Sequence, residues 1–445
     1  MMANRLMVCH RAIAGCMLPC VLALASSMAF AQTGEPDTPS GNALWEALRS
    51  GTPDLTLNWR YEHVADDLVR NGLPLKDANA STVRAALGYR TGDFHGFAAY
   101  LQFEAIGAVG LDDYEDGSGT GNSRYATVVD PEGTEINEGY VSWRPDPRLS
   151  LKAGRQIITY RDAPFHRFMG TVLWRQNWQT HDAVSVEFNA SDDLVIRYAY
   201  IWNVNRIFGE DAPDPLSDFD SNSHTVNVQY SATPHLNLEA YVYLLDLDNA
   251  DRFSANTFGI RAHGLYPLNA SWGVVYAAEY AYQEDAGNNP FAIDEDYVLL
   301  EGGLKWTLGS FVKSLMVKFS YELLSGDGSS NGAFVTILGT NHAFQGWADR
   351  FLVTPDAGIE DYYVTGVMPL VGDVQIVASY HDLNADAGGF DYGDEFDVMV
   401  TKKFLQHYTL SAKAAFYDAD RSAANAGGGL AADVTKLWVW AGLSF

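Results

Sequence analysis

The chain has 445 residues and a formal net charge of −27, with 19% charged and 13% aromatic residues. The negative charge argues against a nucleic-acid partner, since phosphate binding needs a basic face. The aromatic content excludes an intrinsically disordered chain. Together with 40 glycines, this composition favours a large all-β protein with many turns.

The amino end has the pattern of a secretory signal. Two arginines flank a charged start, residues 12–25 are mostly apolar, and an Ala-Phe-Ala triplet before Gln32 fits a cleavage motif. We therefore predict a signal peptide over residues 1–31 and a short periplasmic segment over residues 32–53. All three cysteines lie in the predicted signal. The processed chain is thus predicted to contain no disulfide and no cysteine metal site. We also predict no other metal ligand set and no cofactor.

Alternating apolar and polar residues dominate the predicted barrel region, residues 54–445. The segment LTLNWRY (55–61) alternates strictly, and similar patterns recur in about eighteen segments. Most have close to the ~9–11 residues that a tilted strand needs to cross a bilayer. Short turns alternate with long polar stretches between them, as in outer-membrane barrels with short periplasmic turns. The sequence therefore predicts an all-β transmembrane antiparallel up-and-down barrel of about eighteen strands with long extracellular loops.

The last segment, TKLWVWAGLSF (435–445), is predicted to be the closing strand. Its apolar face is formed by Leu437, Val439, Ala441, Leu443 and Phe445. An even strand count places both termini on the periplasmic side of a Gram-negative outer membrane. We expect contact with outer-membrane lipid and lipopolysaccharide, and a role for the terminal aromatic Phe445 in recognition by the barrel assembly machinery.

Tryptophans and tyrosines near the strand ends fit aromatic belts at the two membrane surfaces. The predicted belt residues are Trp59, Tyr61, Tyr89, Trp143, Trp272, Tyr280, Trp306, Tyr321 and Trp438.

The polar strand faces would line the lumen of such a barrel. Basic residues at inward positions are Arg60, Arg84, Arg90, Lys152, Arg197, Arg261, Lys305, Lys318, Lys403 and Lys413. Acidic residues at inward positions are Glu62, Glu104, Glu138, Glu187, Glu239, Glu279, Glu301, Glu322, Glu395 and Asp397. Two interpretations stay open, because opposite charges could pair and brace the wall, or unpaired arginines could attract an anion.

Two stretches, 154–188 and 341–352, carry motifs beyond this alternation. The first contains Gly154, Arg155, Gln156, Arg167, Gly170, Trp174, Arg175, Gln176, Asp182 and Ala183. The second contains Asn341, His342, Phe344, Gly346, Trp347 and Asp349. Both resemble the alginate export family of outer-membrane porins, and so does the helical-looking start NALWEALRSG (42–51). The resemblance covers essentially the whole chain after the signal.

The resemblance implies a passive barrel of eighteen strands in which the loop at 159–181 folds inward. Arginines from this loop and from early strands could then converge on one wall of a constriction. A guanidinium fork binds carboxylate in bidentate fashion, which suits uronates or other organic acids. The predicted pore-lining residues are Arg60, Arg84, Arg155, Arg167, Arg175, Arg197, Arg261, Lys305 and Lys318. The motif residues Trp174, Gln176, Asn341, His342, Trp347 and Asp349 either pack the loops or contact the solute.

The predicted function is an outer-membrane porin that passes carbohydrate-like or organic-acid solutes by passive diffusion, with an anionic or neutral saccharide as its partner. The acidic loops do not suit a long polyanion, so export of alginate is the less favoured use. The alternatives are a plugged structural barrel and an exported β-rich enzyme acting on polysaccharides. The sequence argues against the enzyme, because its carboxylates are spread over the alternating strands without a cluster and it contains no H-E-x-x-H motif. We predict no catalytic residue.

Overall fold

The computed structural model describes residues 43–119, 121–427 and 429–445, so the predicted signal over 1–31 lies outside the described part of the chain, as do residues 32–42. Eighteen antiparallel strands form a single closed sheet. The first strand, β1 (Thr52–Asp66), pairs with β4 (Ala78–Arg90) on one side and with the last strand, β20 (Val434–Ser444), on the other. This closure confirms the predicted antiparallel barrel and its strand number.

The barrel strands follow one another around the sheet in chain order, and each pairs with its neighbours in sequence. Between β1 and β4, the short strands β2 (Val69–Arg70) and β3 (Leu73–Pro74) form a separate hairpin. The other barrel strands are β5 (Phe97–Asp113), β6 (Gly133–Asp146), β7 (Leu149–Gln156), β8 (Thr180–Asn189), β9 (Leu194–Asn205), β10 (Asp218–Thr233), β11 (Leu236–Leu245), β12 (Ala255–Pro267), β13 (Trp272–Asp285), β14 (Asp294–Thr307), β15 (Ser314–Leu324), β16 (Ile359–Pro369), β17 (Val374–Asn384), β18 (Asp391–Phe404) and β19 (Tyr408–Ala419).

Helical structure in the described residues is confined to short segments. A helix, α1 (Ala43–Arg49), precedes β1. Short 3₁₀ helices span Asp251–Phe253, Asn341–Ala343 and Arg421–Ala426. Within these described ranges, no helix is both long and apolar enough to cross a membrane.

Successive side chains of each strand alternate between an outer face and a lumen face. In β20, Leu437 and Val439 are exposed on the outside, whereas Trp438 between them is only 1% exposed. The outer face predicted for the closing strand is therefore observed. The prediction that Trp438 belongs to an outer aromatic belt is wrong, because its position in this alternation turns the indole ring into the lumen.

The connections differ in length at the two ends of the barrel. Short turns lie at the end that also holds the start of β1 and the end of β20, and long loops lie at the opposite end. Three of the long loops form the candidate site. We name them L2 (114–132), L3 (157–179) and L7 (325–358).

L3 and L7 bend into the lumen and bind each other there. The backbone N–H of Gly170 in L3 donates to the carbonyl of Leu338 in L7 at 2.8 Å, and Thr340 N–H donates to the carbonyl of His166 at 2.8 Å. A Cβ at position 170 would lie 2.5 Å from the Thr340 hydroxyl oxygen. The glycine therefore permits the close approach that joins the two loops into one inward body.

Candidate functional site in the barrel lumen

Gln176 anchors L3 to the wall formed by β1 and β4. Its side-chain oxygen accepts from Asn58 Nδ2 at 3.0 Å, and its Nε2 donates to Thr82 Oγ1 at 3.1 Å. Its backbone N–H donates to Asp130 of L2 at 3.1 Å. Because the side chain is completely buried, these hydrogen bonds compensate the desolvation of the amide and hold the adjacent Trp174 and Arg175 in place.

His342 and Asp349 connect L7 to the wall formed by β19 and β20. The Lys413 ammonium donates to His342 Nε2 at 2.7 Å, so Nδ1 carries the proton and donates to Asp349 Oδ1 at 2.5 Å. Burial lowers the pKa of His342 well below its usual value, and the neighbouring Lys413 charge adds to this shift. The imidazole is therefore neutral at neutral pH.

Three indole rings and the His342 imidazole surround the Lys413 ammonium. Trp174 stacks on His342 with ring centroids 4.0 Å apart and an angle of 7° between the planes. The Lys413 nitrogen lies 3.7 Å from the ring centroid of Trp347, 4.2 Å from that of Trp174 and 5.3 Å from that of Trp438. These distances are those of cation–π contacts, so the motif tryptophans fix a strand lysine to both inward loops.

A chain of ion pairs continues from Asp349 towards β1. Asp349 Oδ2 lies 2.7 Å from Lys436 Nζ and 3.2 Å from Arg175 Nη2. The second terminal nitrogen of Arg175, Nη1, lies 3.1 Å from Glu62 Oε2. Burial alone would raise the pKa of Asp349, but the hydrogen bond from His342 and the charges of Lys436 and Arg175 hold it well below its usual range. Asp349 therefore remains a carboxylate and joins L3 and L7 to β20.

Arg60 extends this chain to L2. Its guanidinium lies 2.5 Å from the carboxylate of Asp130 and also donates to the carbonyl of Trp174. We call this connected set of buried ionisable side chains the central cluster: Arg60, Glu62, Asp130, Arg175, His342, Asp349, Lys413 and Lys436. Within this set four basic side chains face three carboxylates, and the buried carboxyl groups of Glu395 and Asp397 on the adjacent β18 accept from the backbone N–H groups of Ala348 and Trp347 beside it.

The central cluster retains capacity to bind a polar group. Within the described ranges, Lys413 forms no ion pair with a carboxylate. The indole N–H groups of Trp174 and Trp438 are buried and have no acceptor among the described residues. A carboxylate that reached this position could accept hydrogen bonds from these donors.

The other predicted lumen cations are mostly paired. Arg167 of L3 lies 3.1 Å from Glu322. Arg161 of L3, which was not predicted, bridges Glu239 and Glu279 at 2.9 and 2.6 Å. The further pairs are Arg84 with Glu104, Arg197 with Glu187, Arg261 with Glu279, and Lys318 with Glu301. Among the described residues, no ion pair is formed by Arg90, Lys152, Lys305 or Lys403, and the Lys152 nitrogen lies 4.7 Å from the ring centroid of Tyr140. Pairing and bracing of the wall is thus the better interpretation for most of these residues.

Arg155 was predicted to line the pore, and its position contradicts this. It lies opposite Gly139 of β6 and Asp182 of β8, and it pairs with Asp182 at 2.9 Å. Val141 and Val184, two residues away on those strands, are exposed on the outside of the barrel. Because alternate residues share a face, Arg155 belongs to the outer face and lies apart from the central cluster.

Of the remaining motif residues, Asn341 braces L7 and Trp347 contributes to the site. Asn341 Nδ2 donates to the carbonyls of Leu352 and Thr336 at 2.7 and 3.1 Å, both within L7. Trp347 places its ring on Lys413 while its backbone N–H donates to Asp397 at 3.2 Å.

Sequence reasoning missed two members of the central cluster, Lys436 and Asp130, and one further lumen cation, Arg161. Lys436 occupies an inward position of the closing strand, two residues before Trp438, so strict alternation could have identified it. Arg161 and Asp130 lie in long loops, where alternation gives no direction. Only the path of the folded loops brings these two residues to the lumen wall.

No family model matches the chain, and no curated protein is found to be similar to it. Solved structures are similar. OccAB2 of Acinetobacter baumannii has a TM-score of 0.68 and 16% identity, covering 90% of this chain and 99% of its own. OccK9 (OpdG) of Pseudomonas aeruginosa has a TM-score of 0.66 and 13% identity, with coverages of 90% and 100%. OpdK of the same organism, solved with vanillate, has a TM-score of 0.65 and 13% identity, with coverages of 89% and 99%.

The resemblance to the alginate export family finds no support in these comparisons. The solved neighbours belong to the Occ and Opd porins. At identities this low, the similarity extends to the architecture of the chain and not to its solute. The chain shares with these neighbours the fold of a closed antiparallel barrel of eighteen strands.

Proposed function

We propose that this chain is an outer-membrane channel through which small organic acids diffuse passively past L3 and L7. The observation that carries the proposal is the central cluster, in which inward loops and strands gather four basic side chains against three carboxylates. A small carboxylate would find four basic side chains there, together with indole N–H donors. Guanidinium and ammonium groups bind carboxylates through charge-assisted hydrogen bonds.

The solved neighbours support this solute class. One of them, OpdK, was solved with vanillate, an aromatic carboxylate. Uronates also carry a carboxylate, so the proposal includes carbohydrate-like acids. A long alginate chain fits less well, because L3 and L7 occupy part of the lumen. In this proposal the short turns and both termini face the periplasm, the outer face meets lipid and lipopolysaccharide, and the assembly machinery inserts the barrel.

Solute uptake by proteoliposomes tests the proposal. We expect vanillate to enter faster than vanillyl alcohol, and glucuronate faster than glucose, although each pair differs little in size. The double variant Arg175→Gln/Lys436→Gln removes two charges of the central cluster and should reduce this preference. Arg155→Gln is the matched control, because its guanidinium lies on the outer face. Equal uptake of acids and neutral analogues by the unaltered protein would refute the assignment.

A plugged structural barrel is the second candidate. Its supporting observation is the hydrogen-bonded contact between L3 and L7 inside the lumen, where both loops carry fully buried side chains. Such a barrel would admit neither vanillate nor potassium ions to the vesicles. The same uptake experiment therefore distinguishes the two functions.

A further inference from the structure

The helix α1 lies at the outer rim of the barrel, at the short-turn end. Gly92 N–H, in the turn after β4, donates to the carbonyl of Ala47 at 2.8 Å, and the Tyr89 hydroxyl donates to the carbonyl of Leu48 at 2.7 Å. Tyr89 is opposite Leu101 of β5 in the sheet, and Leu101 is exposed on the outer face. The contact with Tyr89 therefore places the end of α1 beside the outer face and away from the lumen opening.

The exposed apolar residues of α1 lie on one side of the helix. With about 100° per residue, Leu44, Leu48 and Trp45 occupy an arc of about 100°, and they are 46%, 44% and 52% exposed. Ala47 is buried against the barrel. The side chain of Glu46 points away from the apolar arc and is 58% exposed. Exposure of three large apolar side chains to water does not stabilise a seven-residue helix. We therefore expect another apolar surface to cover this side of α1.

The position of α1 identifies the chemistry of that partner. At the same end of the barrel, the outer face carries stacked aromatic pairs, Phe97 with Trp143 and Trp272 with Trp306. Such aromatic residues mark the boundary between hydrocarbon and water. The apolar side of α1 lies at the same end of the barrel as these aromatic residues. Its three exposed side chains are far too few to form a specific protein interface, which buries roughly 1,000 Å² or more.

We propose that α1 is an interfacial anchor that inserts Leu44, Trp45 and Leu48 into the phospholipid leaflet at the short-turn end, an inference that rests on the membrane location proposed above. The helix lies parallel to the bilayer surface, with its apolar side about 5–10 Å within the headgroup boundary. Glu46 faces water. The anchor fixes the barrel rim to the leaflet through a segment outside the sheet.

Site-specific fluorescence tests the anchor. The cysteines of the sequence are at positions 9, 16 and 20, so in a chain beginning at Gln32 an introduced cysteine is the only thiol. Trp45→Cys and Leu48→Cys variants are labelled with a polarity-sensitive fluorophore and refolded into phospholipid vesicles containing a nitroxide-labelled lipid. Glu46→Cys is the matched control on the opposite side of the helix, and Leu101→Cys reports whether the barrel itself is in the bilayer.

We expect the lipid nitroxide to quench the probes at positions 45, 48 and 101, and to leave the probe at position 46 unquenched. Unquenched probes at 45 and 48 with a quenched probe at 101 would overturn the anchor while the membrane location stands. A blue-shifted emission would then indicate cover by residues 32–42, and a red-shifted emission would indicate water. An unquenched probe at position 101 would overturn the membrane location itself.

Discussion

Individual residues of the lumen divide into structural pairs and a smaller set with unsatisfied groups. Arg84 with Glu104 and Lys318 with Glu301 are closed pairs, and a buried pair of this kind contributes little net charge to the lumen. The central cluster differs because Asp349 neutralises several basic groups at once. The selectivity of the channel should therefore depend strongly on this one carboxylate.

Asp349→Asn should make the channel more anion-selective and less stable. The substitution removes the charge shared by Lys436 and Arg175, and loss of one partner from a buried pair costs about 3–5 kcal/mol. The reversal potential in a salt gradient and the temperature at which the folded band disappears in gel electrophoresis measure the two effects. Asp373→Asn is the control, because its pair with Lys313 is exposed and contributes about 0–1 kcal/mol. An unchanged reversal potential would show that Asp349 does not set the lumen charge.

Acid should loosen the attachment of L7. His342 is held neutral in the fold by its lowered pKa, whereas an unfolded histidine has a pKa of about 6.5. Its folded pKa is the lower one, so the stability that it contributes is complete above about pH 6.5 and is lost progressively below that value. We expect larger fluctuations of single-channel current at pH 5 than at pH 7.5. His342→Gln keeps a donor and an acceptor without titrating, and it should remove the difference.

The control is the exposed residue His95. The variant His95→Gln should retain the difference in current fluctuations between pH 5 and pH 7.5. If the His342→Gln protein still became noisier at pH 5, another group would be responsible for the loosening of L7.

Among the elements, L7 depends on a glycine to reach its position. Gly346 has a φ of +83°, and a Cβ there would lie 2.3 Å from Glu395 Oε2. The neighbouring N–H groups of Trp347 and Ala348 donate to Asp397 and Glu395 at 3.2 and 2.6 Å. The turn at Gly346 thus lets L7 lie against β18 and directs Trp347 towards Lys413.

Gly346→Ala should displace L7 and raise the conductance of the channel. The substitution forces an L residue into the left-handed region, which costs about 1–2 kcal/mol, and it adds a clash with Glu395. Gly372→Ala is a matched control, since its φ is +73° but nothing lies within 4 Å of the added Cβ. Single-channel conductance measures the difference. Equal conductance of the two variants would mean that L7 does not narrow the pore.

The sequence predicts the strands well and the loops poorly, for a physical reason. A strand has a period of two, so the positions of Arg60, Lys413 and Glu62 in the lumen follow from alternation alone. Alternation with Ala153 and Leu151 also places Arg155 on the outer face, and the inward prediction failed because it was taken from a motif. Loop residues such as Arg161 and Asp130 have no period, and their partners are distant in sequence, so only tertiary structure reveals them.

At the scale of the whole molecule, closure of the sheet depends on the last strand. The backbone of Phe445 exchanges hydrogen bonds with Leu55 of β1 at 3.0 and 3.2 Å, and its ring stacks against His407 with centroids 4.6 Å apart. A barrel has no free edge only if this seam forms. The terminal residue therefore belongs to the seam and lies far from the central cluster.

Deletion of Phe445 should lower the amount of folded barrel in the membrane and leave the conductance of each folded molecule nearly unchanged. The seam loses two backbone hydrogen bonds and an aromatic contact, but the lumen is untouched. Heat-modifiable mobility of membrane extracts gives the folded amount, and single-channel recording gives the conductance. Wild-type abundance of the truncated protein would argue against a role of Phe445 in assembly.

The central claim, that L3 and L7 leave a conducting path lined by the central cluster, is tested most directly by single-channel recording in a planar bilayer. In potassium chloride we expect a steady current with weak anion selectivity. Addition of vanillate should produce brief interruptions of the current, and these should become rarer in Arg175→Gln/Lys436→Gln. The absence of any current through correctly folded protein, or a current that vanillate leaves unaltered, would contradict the account.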